Sequence, residues 1–421
     1  MITEIPANRY SSKAFQTLEW QRLWSRVWNM GPRLDELRNP GDYVTHTLGK
    51  EHLVFVLDRE GQVRGFFNVC RHRGNVLCRR YRGNMTSFYC AFHGWKYDLD
   101  GAVSDIPHRE RFSGLEDPDE LEKLNLTPLV VDMWGGWIWF NMDPNAGPLL
   151  DFLGDMPEKL AGYNFEKATL IDYKTFDFEC NWKTCLDAFN ESYHFSALHR
   201  QILPWGNEDA PITLLGLHSM MVNQYGVPSP SLKDRQTIND QLEAYLHSQG
   251  IDPETFDGNA LDVRAAVQEH KRKLQHDTHY PYQSLADEQL TDAYHYLVFP
   301  NVHFNCFAEF HVAMRHRPHP SGDPGRMLFD FLMFAPLAPD ETVEPFSHKV
   351  VRGGVDAVSD VLEWGVRSFP ASDEVLEQDI ALLPLVQAGM NSDSFDVMRL
   401  GDDERRLWHF HENLMRYIEE E

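Results

Sequence analysis

Basic charge is scarce in this 421-residue chain: Lys and Arg number 39 against 64 Asp and Glu, a formal net charge of −25. Nucleic acid and anionic membrane both recruit basic surfaces, so neither is an expected partner. No uninterrupted apolar run approaches the roughly 20 residues that a membrane-crossing helix needs. The opening residues, MITEIPANRY, lack the basic and apolar regions of an export signal. Internal repeats and low-complexity tracts are absent. Cysteine is sparse, with six residues at 70, 78, 90, 180, 185 and 306. Scattered through so long a chain, they suggest a reducing compartment rather than a disulfide framework, and the expected location is cytoplasmic.

What is present points to more than one domain, since roughly 100–200 residues make a domain. Residues 1–40 form an N-terminal segment that is mainly helical around AFQTLEWQRLWSRVW. From Gly41 the pattern changes to short β-branched or aromatic runs (YVTHTLG, EHLVFVL, QVRGFFNV) punctuated by Gly49-Lys50 and Arg59-Glu60-Gly61. Further strands are expected at MTSFYC, at KYDLDGAVSD and at GGWIWFNM, so residues 41–145 read as a small all-β domain. Residues 146–421 read as a larger α+β domain. It has a strand at TLIDYKTFDFEC, a helix through WKTCLDAFNESYHFSALH and a helical insertion at about 205–290. Strands return at YHYLVFPNVHFNCFAEFHVAMRHR and RMLFDFLMFAPL before two closing helices. The expected fold class is α+β, an antiparallel sheet flanked by helices beside the all-β domain.

Two clusters carry chemistry. Cys70-Arg71-His72-Arg73-Gly74 is followed, 17 residues beyond His72, by Cys90-Ala91-Phe92-His93-Gly94-Trp95. Thiolates and imidazoles at such spacings hold metal. A Cys₂His₂ zinc site usually groups its cysteines and then its histidines, whereas this order alternates. Alternation suits a [2Fe–2S] cluster with two unlike irons, Cys70 and Cys90 on one, His72 and His93 on the other. Each loop then gives one ligand to each iron, and Gly74 and Gly94 permit tight turns. Neutral imidazole in place of thiolate raises the potential into a range of about −150 to +300 mV. At these residues the chain resembles the Rieske non-haem iron oxygenases, whose first domain carries Cys-x-His, 17 residues, then Cys-x-x-His. Arg73-Gly74 and Gly94-Trp95 match the surroundings of the ligands there.

The second cluster lies in Asn181-Trp182-Lys183 through Glu191-Ser192-Tyr193-His194 to His199. Two histidines and a carboxylate suit a mononuclear Fe(II) with positions left open. On a regular helix Glu191 and His194 lie about 60° apart and share a face. His194 and His199 lie about 140° apart, so both reach one metal only if the helix ends or bulges between them. By spacing alone the pair fits a surface and a core histidine equally well. The family pattern is an acidic residue, two residues, His, four residues, His, with Tyr before the first His. It falls on Glu191, His194, His199 and Tyr193. The family's third ligand is an Asp near the start of a downstream helix with a Gln eight residues later, which falls on Asp379 and Gln387. By residue type alone Asp379 is an ordinary acid near a helix N-terminus. The resemblance makes Glu191 a bridge rather than a ligand, linking the partner subunit's His93 to His194 by a hydrogen bond. Most of the family has Asp there; Glu is one methylene longer, and members with Glu include oxygenases of quaternary ammonium compounds.

The resemblance implies a terminal oxygenase component with a Rieske cluster at 41–145, a mononuclear Fe(II) in the domain at 146–421, and residues 1–40 packed on the latter. It would activate O₂ to hydroxylate, dihydroxylate or oxidatively demethylate a small molecule. No Gly-x-Gly-x-x-Gly follows a strand and no plant-type ferredoxin cluster is present, so NAD(P)H would act through a separate flavin reductase, with or without a ferredoxin. The implied assembly is a head-to-tail homotrimer, with a beta subunit possible. A pocket is expected from Leu186, Phe189, Phe195, Val298, Asn301, Phe304 and Phe307, suited to an apolar aromatic or alicyclic substrate, although such a stripe also describes a core. The insertion could serve as a lid. Two other readings fit parts of the sequence: a Rieske electron carrier without an oxygenase site, holding two irons rather than three, and a zinc-stabilised binding module.

Overall fold

The computed structural model describes residues 3–339, 341, 349–352 and 370–419. Its contacts group into two units, one of residues 19–152 with 319–323, the other of residues 1–18, 153–318 and 324–421. The N-terminal 40 residues are therefore shared between them. Thr3–Pro6 pairs with Val397–Leu400 in the larger unit. From Glu19 onward the chain belongs to the smaller unit, where Leu23, Trp24, Val27 and Trp28 are buried. Large apolar side chains recurring at 23, 24, 27 and 28 are the cause, since burying them yields the most free energy per residue.

The smaller unit contains a four-stranded and two three-stranded antiparallel sheets. Strand alternation sends Val54, Val56, Phe66, Phe88, Tyr97 and Leu99 into one core, and Cys70 and Cys90 belong to that same cluster. The cysteines are thus anchored by the apolar interior rather than displayed on free loops.

The larger unit is built on an eight-stranded sheet. Its strands in chain order are β1 (Thr169–Phe178), β2 (Ile212–Leu215), β3 (His218–Asn223), β4 (Ala293–Val298), β5 (Val302–Cys306), β6 (His311–Pro318), β7 (Met327–Ala335) and β8 (Lys349–Arg352). Spatially they run β2-β3-β4-β5-β6-β7-β1-β8, antiparallel throughout except for the parallel edge pair β1–β8. After β1 its α-helices are α1 (Trp182–Ala188), α2 (Phe195–Leu198), α3 (Asp240–Ser248), α4 (Val263–Leu274), α5 (Pro370–Met390) and α6 (Arg405–Glu419). The α+β class is as the sequence pattern implies, with two local differences. The segment at 205–290 is not wholly helical, because LLGLHSMMVN turns at Gly216 (φ 62°) and forms the β2–β3 hairpin at the sheet edge. The helix expected through His199 stops at Ala188 and resumes only at Phe195.

One face of the sheet makes the floor of a cavity. Cross-strand register places Met221, His295, Asn305 and Val312 in a single row over β3 to β6. On strands one residue later the side chains point to the opposite face. There Arg315 and Arg317 hold buried Asp330 at 2.9 and 2.6 Å, with Thr175 Oγ1 donating to it at 2.6 Å. Burial opposes charge on Asp330, yet the two guanidinium groups depress its pKa well below the usual carboxylate range. Among the described residues no helix is long and apolar enough to cross a membrane.

Candidate metal centres

In the smaller unit two loops repeat one device. Gly74 N–H donates to Cys70 O at 3.0 Å and Cys70 N–H to Asn75 O at 2.9 Å. Gly94 N–H donates to Cys90 O and Cys90 N–H to Trp95 O, both at 2.8 Å. Each loop closes through a glycine at positive φ, 74° and 77°, a conformation that costs a side-chain-bearing residue about 1 kcal/mol or more. The closure brings the two thiols within hydrogen-bonding reach and the rings of His72 and His93 to a centroid distance of 4.5 Å. His72 also stacks on Trp95 at 4.8 Å and 3°.

Two sulfurs and two imidazole nitrogens therefore face one another. Nδ1 of His72 and Nδ1 of His93 are both buried without a hydrogen-bond partner among the described residues, which is what nitrogens reserved for a metal require. Burial, then His93 and Arg73, lower the pKa of His72, favouring the neutral ligand form. Burial would raise Cys90, but the backbone N–H groups of Phe92 and His93, with Cys70 and Asn75, outweigh it and lower its pKa, favouring thiolate. Cys70 is raised by burial. Tyr97 Oη lies 3.2 Å from Cys70 Sγ while accepting from Arg71 N–H at 3.0 Å. Tyr97 belongs to no motif in the sequence and stands out only through this contact.

In the larger unit the helix break is the key local event. After α1 ends, Asn190 N–H donates to Asp187 O at 2.9 Å and Ser192 Oγ to Glu208 O at 2.8 Å, turning the chain. Glu191 Oε2 then accepts from His194 N–H at 3.1 Å, starting α2, and Glu191 Oε1 contacts His194 Nδ1. This turn does what a continuous helix could not, because it sets the rings of His194 and His199 4.9 Å apart. Asp379, on α5, places Oδ1 3.0 Å from His199 Nε2 and 3.7 Å from His194 Nε2. One ligand atom from each of the three residues lies within 4.8 Å of the others.

The tautomers follow from the outer partners. Glu191 accepts from Nδ1 of His194, and Gln378 Oε1 accepts from Nδ1 of His199 at 2.7 Å. Gln201 Nε2 also donates to Gln378 Oε1, at 2.8 Å, so that oxygen is fixed as an acceptor. In the neutral rings both Nε2 atoms therefore carry the lone pair, buried and without a hydrogen-bond partner among the described residues. Burial works against charge on His194, but the hydrogen bond and charge of Glu191, with Asp379, raise its pKa above the ordinary value. A metal would displace that proton. The family pattern points to the later Gln387 rather than to Gln378. Gln387 Oε1 instead accepts from Asn181 N–H at 2.7 Å and Thr184 Oγ1 at 3.0 Å, fastening α5 to the start of α1. The signal available was adjacency, since Gln378 precedes Asp379.

Glu191, His194 and Asp379 open onto a cavity of about 620 Å³, in the size range of small-molecule sites. Phe189, Phe195 and Phe307 line it, whereas Leu186, Val298, Asn301 and Phe304 do not. Strand parity explains two of these. Val298 and Phe304 lie three residues and one residue from His295 and Asn305, odd offsets that turn both to the other side, where Phe304 meets Phe165 at 5.2 Å. Asn301 sits in the β4–β5 turn and donates to His316 O at 3.0 Å. Leu186 is fully buried in the core. Much of the wall comes from residues not anticipated, including Trp205, Tyr225, Tyr245, Tyr280, Tyr282 and Glu309. Helices α3 and α4 of the insertion contribute Tyr245 and Lys271.

A Rieske-type cradle, an antiparallel catalytic sheet and a two-histidine, one-carboxylate cluster together define a class. Residues 165–420 match the family model described as ring hydroxylating alpha subunit (catalytic domain), and residues 27–124 match the Rieske [2Fe–2S] domain; the chain belongs to this family of oxygenase alpha subunits. Such proteins hold a [2Fe–2S] cluster and a mononuclear iron, and both donor sets described above fit those groups. Over 201 residues the chain is 28% identical to the glycine betaine monooxygenase oxygenase subunit of Pseudomonas aeruginosa, covering 47% of this chain and 45% of that one. Over 193 residues it is 31% identical to benzene 1,2-dioxygenase subunit alpha of Pseudomonas putida, covering 44% and 42%. The matched region thus spans about half the length of these curated relatives. The crystal structure of the quaternary ammonium Rieske monooxygenase CntA in complex with L-carnitine shares the fold, with a TM-score of 0.69 at 17% identity over 98% of this chain and 95% of that one.

Proposed function

We propose that this chain is the terminal oxygenase component of a Rieske system, with Cys70, His72, Cys90 and His93 holding the cluster and His194, His199 and Asp379 holding the mononuclear iron. The observation that carries this reading is the convergence of those last three ligand atoms within 4.8 Å at the wall of an aromatic cavity. When bound, the cluster supplies single electrons and the iron supplies an O₂-activating centre with open positions. The chain's own residues set the geometry. Glu191 and Gln378 lock the two imidazole rings, and the aromatic walls exclude water from a substrate seated beside Phe189 and Phe195. Electrons would come from a separate NAD(P)H-dependent flavin reductase, directly or through a ferredoxin. A homotrimer, with or without a beta subunit, belongs to the same proposal, Glu191 bridging to the cluster of the next subunit.

The cavity's charges favour a substrate with an apolar aromatic or alicyclic body. Asp292 is held bidentately by Arg264 at 2.8 Å, and Glu309 is held by Lys271 at 2.7 Å and Tyr282 Oη at 2.6 Å, so both carboxylates are already neutralised. A second reading, a quaternary ammonium substrate, is favoured by the stacked Trp205–Tyr225 pair at 4.6 Å with Tyr245 beside it. Such faces attract a cation that has no hydrogen to donate. Iron analysis and single-turnover reoxidation of the reduced cluster by O₂ test both readings. The expected result is three irons per chain and rapid reoxidation with one class among arenes, aromatic acids, methoxyarenes, steroids and quaternary amines. Two irons per chain, with no acceleration by any of them, would favour an electron carrier.

A further inference from the structure

A hydrogen-bonded chain in the larger unit reaches α1, the helix that precedes the ligand-bearing turn. It starts at a surface cleft of about 390 Å³ whose lining includes Arg9, His411, Glu4, Glu412 and Glu419. Arg9 Nη1 lies 3.4 Å from His411 Nδ1, His411 Nε2 lies 2.7 Å from Tyr10 Oη, and Tyr10 Oη donates to Asp187 Oδ2 at 2.6 Å. Arginine can only donate, so Nδ1 accepts and Nε2 carries the ring proton. Tyrosine has one hydrogen, and it is on Asp187, so the phenol oxygen accepts from Nε2. Every donor therefore points from the cleft toward Asp187.

Asp187 lies in the last turn of α1, and the next two residues, Ala188 and Phe189, line the substrate cavity. Its second oxygen, Oδ1, is buried and has no hydrogen-bond partner among the described residues; nor do both side-chain amide atoms of Asn190, three residues on. Burying a carboxylate oxygen without a partner is costly, and such groups in native proteins generally have a use.

Resting on the oxygenase reading, a proton supply is required. Monooxygenation runs as R–H + O₂ + 2e⁻ + 2H⁺ → R–OH + H₂O, and dihydroxylation also takes up two protons, the electrons coming from the reductase in either case. We propose that His411, Tyr10 and Asp187 are a relay that conducts these protons from the surface cleft to the turn at the end of α1. When the 3.4 Å contact from Arg9 opens, His411 Nδ1 takes a proton from a hydronium ion in the cleft as Nε2 gives one to Tyr10 Oη, Tyr10 gives its own to Asp187, and the neutral Asp187 releases it toward the cavity lined by Ala188 and Phe189. No charge separates along the way. Asp187, Arg9, Lys183 and Tyr10 face His411, with Glu412 and Glu419 beside it at the cleft. Burial, helped by Arg9 and Lys183, outweighs Asp187 and lowers the His411 pKa, so the ring passes protons rather than storing one. Lys183 Nζ stands 5.7 Å from the Tyr10 ring centroid and keeps the phenol placed.

The alternative is a clamp that merely ties the N-terminal segment to α1 and α6. The two are separated in holoprotein, loaded with both metals, using the compound of the panel above that gives the fastest cluster reoxidation. Tyr10→Phe retains the ring and removes the oxygen. The relay predicts unchanged cluster absorption and iron content, reoxidation slowed by about tenfold or more, and a larger solvent deuterium isotope effect. His411→Ala should slow likewise and recover when free imidazole is added, since His411 lines the cleft and its truncation leaves a ring-sized space there. Wild-type rate and isotope effect in Tyr10→Phe would overturn the relay. So would a folded, slowed His411→Ala that imidazole does not restore, and this second variant decides alone if Tyr10→Phe does not fold. Wild-type protein with two irons that no panel compound accelerates would instead overturn the oxygenase reading, and the relay with it.

Discussion

The two candidate metal centres are built on opposite plans. In the smaller unit all four donors lie between Cys70 and His93, on two loops that use the same pair of backbone hydrogen bonds and the same positive-φ glycine. Their cysteines are part of the domain's own apolar core. In the larger unit the donors come from a broken helix and from α5, 180 residues downstream of His199. One ring is steadied by Glu191 from its own turn, the other by Gln378 from the distant helix. The first centre depends on local turns and one small β core; the second depends on α5 docking against α1, a contact that Gln387 secures. Perturbing α5 should therefore leave the first centre untouched.

Asp379→Ala sets that independence its hardest test. Removing one of three ligands should empty the mononuclear site, with iron per chain falling by one while the Rieske absorption stays the same. Loss of cluster absorption in this variant would break the contrast between the centres. Glu191→Gln should be milder: glutamine can still accept from His194 Nδ1, so both metals should remain, while the lost charge lowers ligand basicity. Cluster reoxidation in the presence of substrate and O₂ should slow by about 10–100-fold, and a wild-type rate would remove Glu191 from the electron path. Gln378→Leu deletes the acceptor of His199 and of Gln201 together. Iron binding at the mononuclear site should weaken by about 10–100-fold in a chelator competition, with the cluster again unaffected.

The same contrast explains what the sequence disclosed. The cluster donors were legible because their alternating order and glycines form a dense local pattern. His194 and His199 were legible only jointly with the family pattern, since five-residue spacing on a helix argues against a shared metal. The break at Phe189 that resolves this is produced by Asn190, Glu191 and Ser192 bonding to nearby backbone and ring groups, and helical periodicity carries no trace of such tertiary turns. Strand parity could have rejected Val298 and Phe304, given that His295 and Asn305 face the cavity, but the face toward the iron is set by register with β3 and β6. The cavity walls from Trp205 and Tyr225 were hidden for a similar reason, because a bridge between Gly206 and Tyr225 and the bond from Gly226 N–H to Trp205 O set those two rings against each other.

The smallest effect is expected within the local centre itself. Tyr97 Oη, 3.2 Å from Cys70 Sγ, is fixed by Arg71 N–H and can donate to the sulfur once the cysteine is a thiolate. A donor there stabilises negative charge on the sulfur, and reduction adds negative charge, so the bond favours the reduced cluster. Tyr97→Phe keeps the ring in the core cluster with Trp95 and Phe88 and removes only the hydroxyl. A single hydrogen bond is worth about 0.5–1.5 kcal/mol, which for one electron corresponds to a fall in potential on the order of 20–60 mV. Redox titration of the cluster measures this directly, while iron content should remain at the wild-type value. A potential unchanged in Tyr97→Phe would mean that the phenol serves Arg71 alone, and that the local centre is tuned by its loop backbone rather than by the side chains packed beneath it.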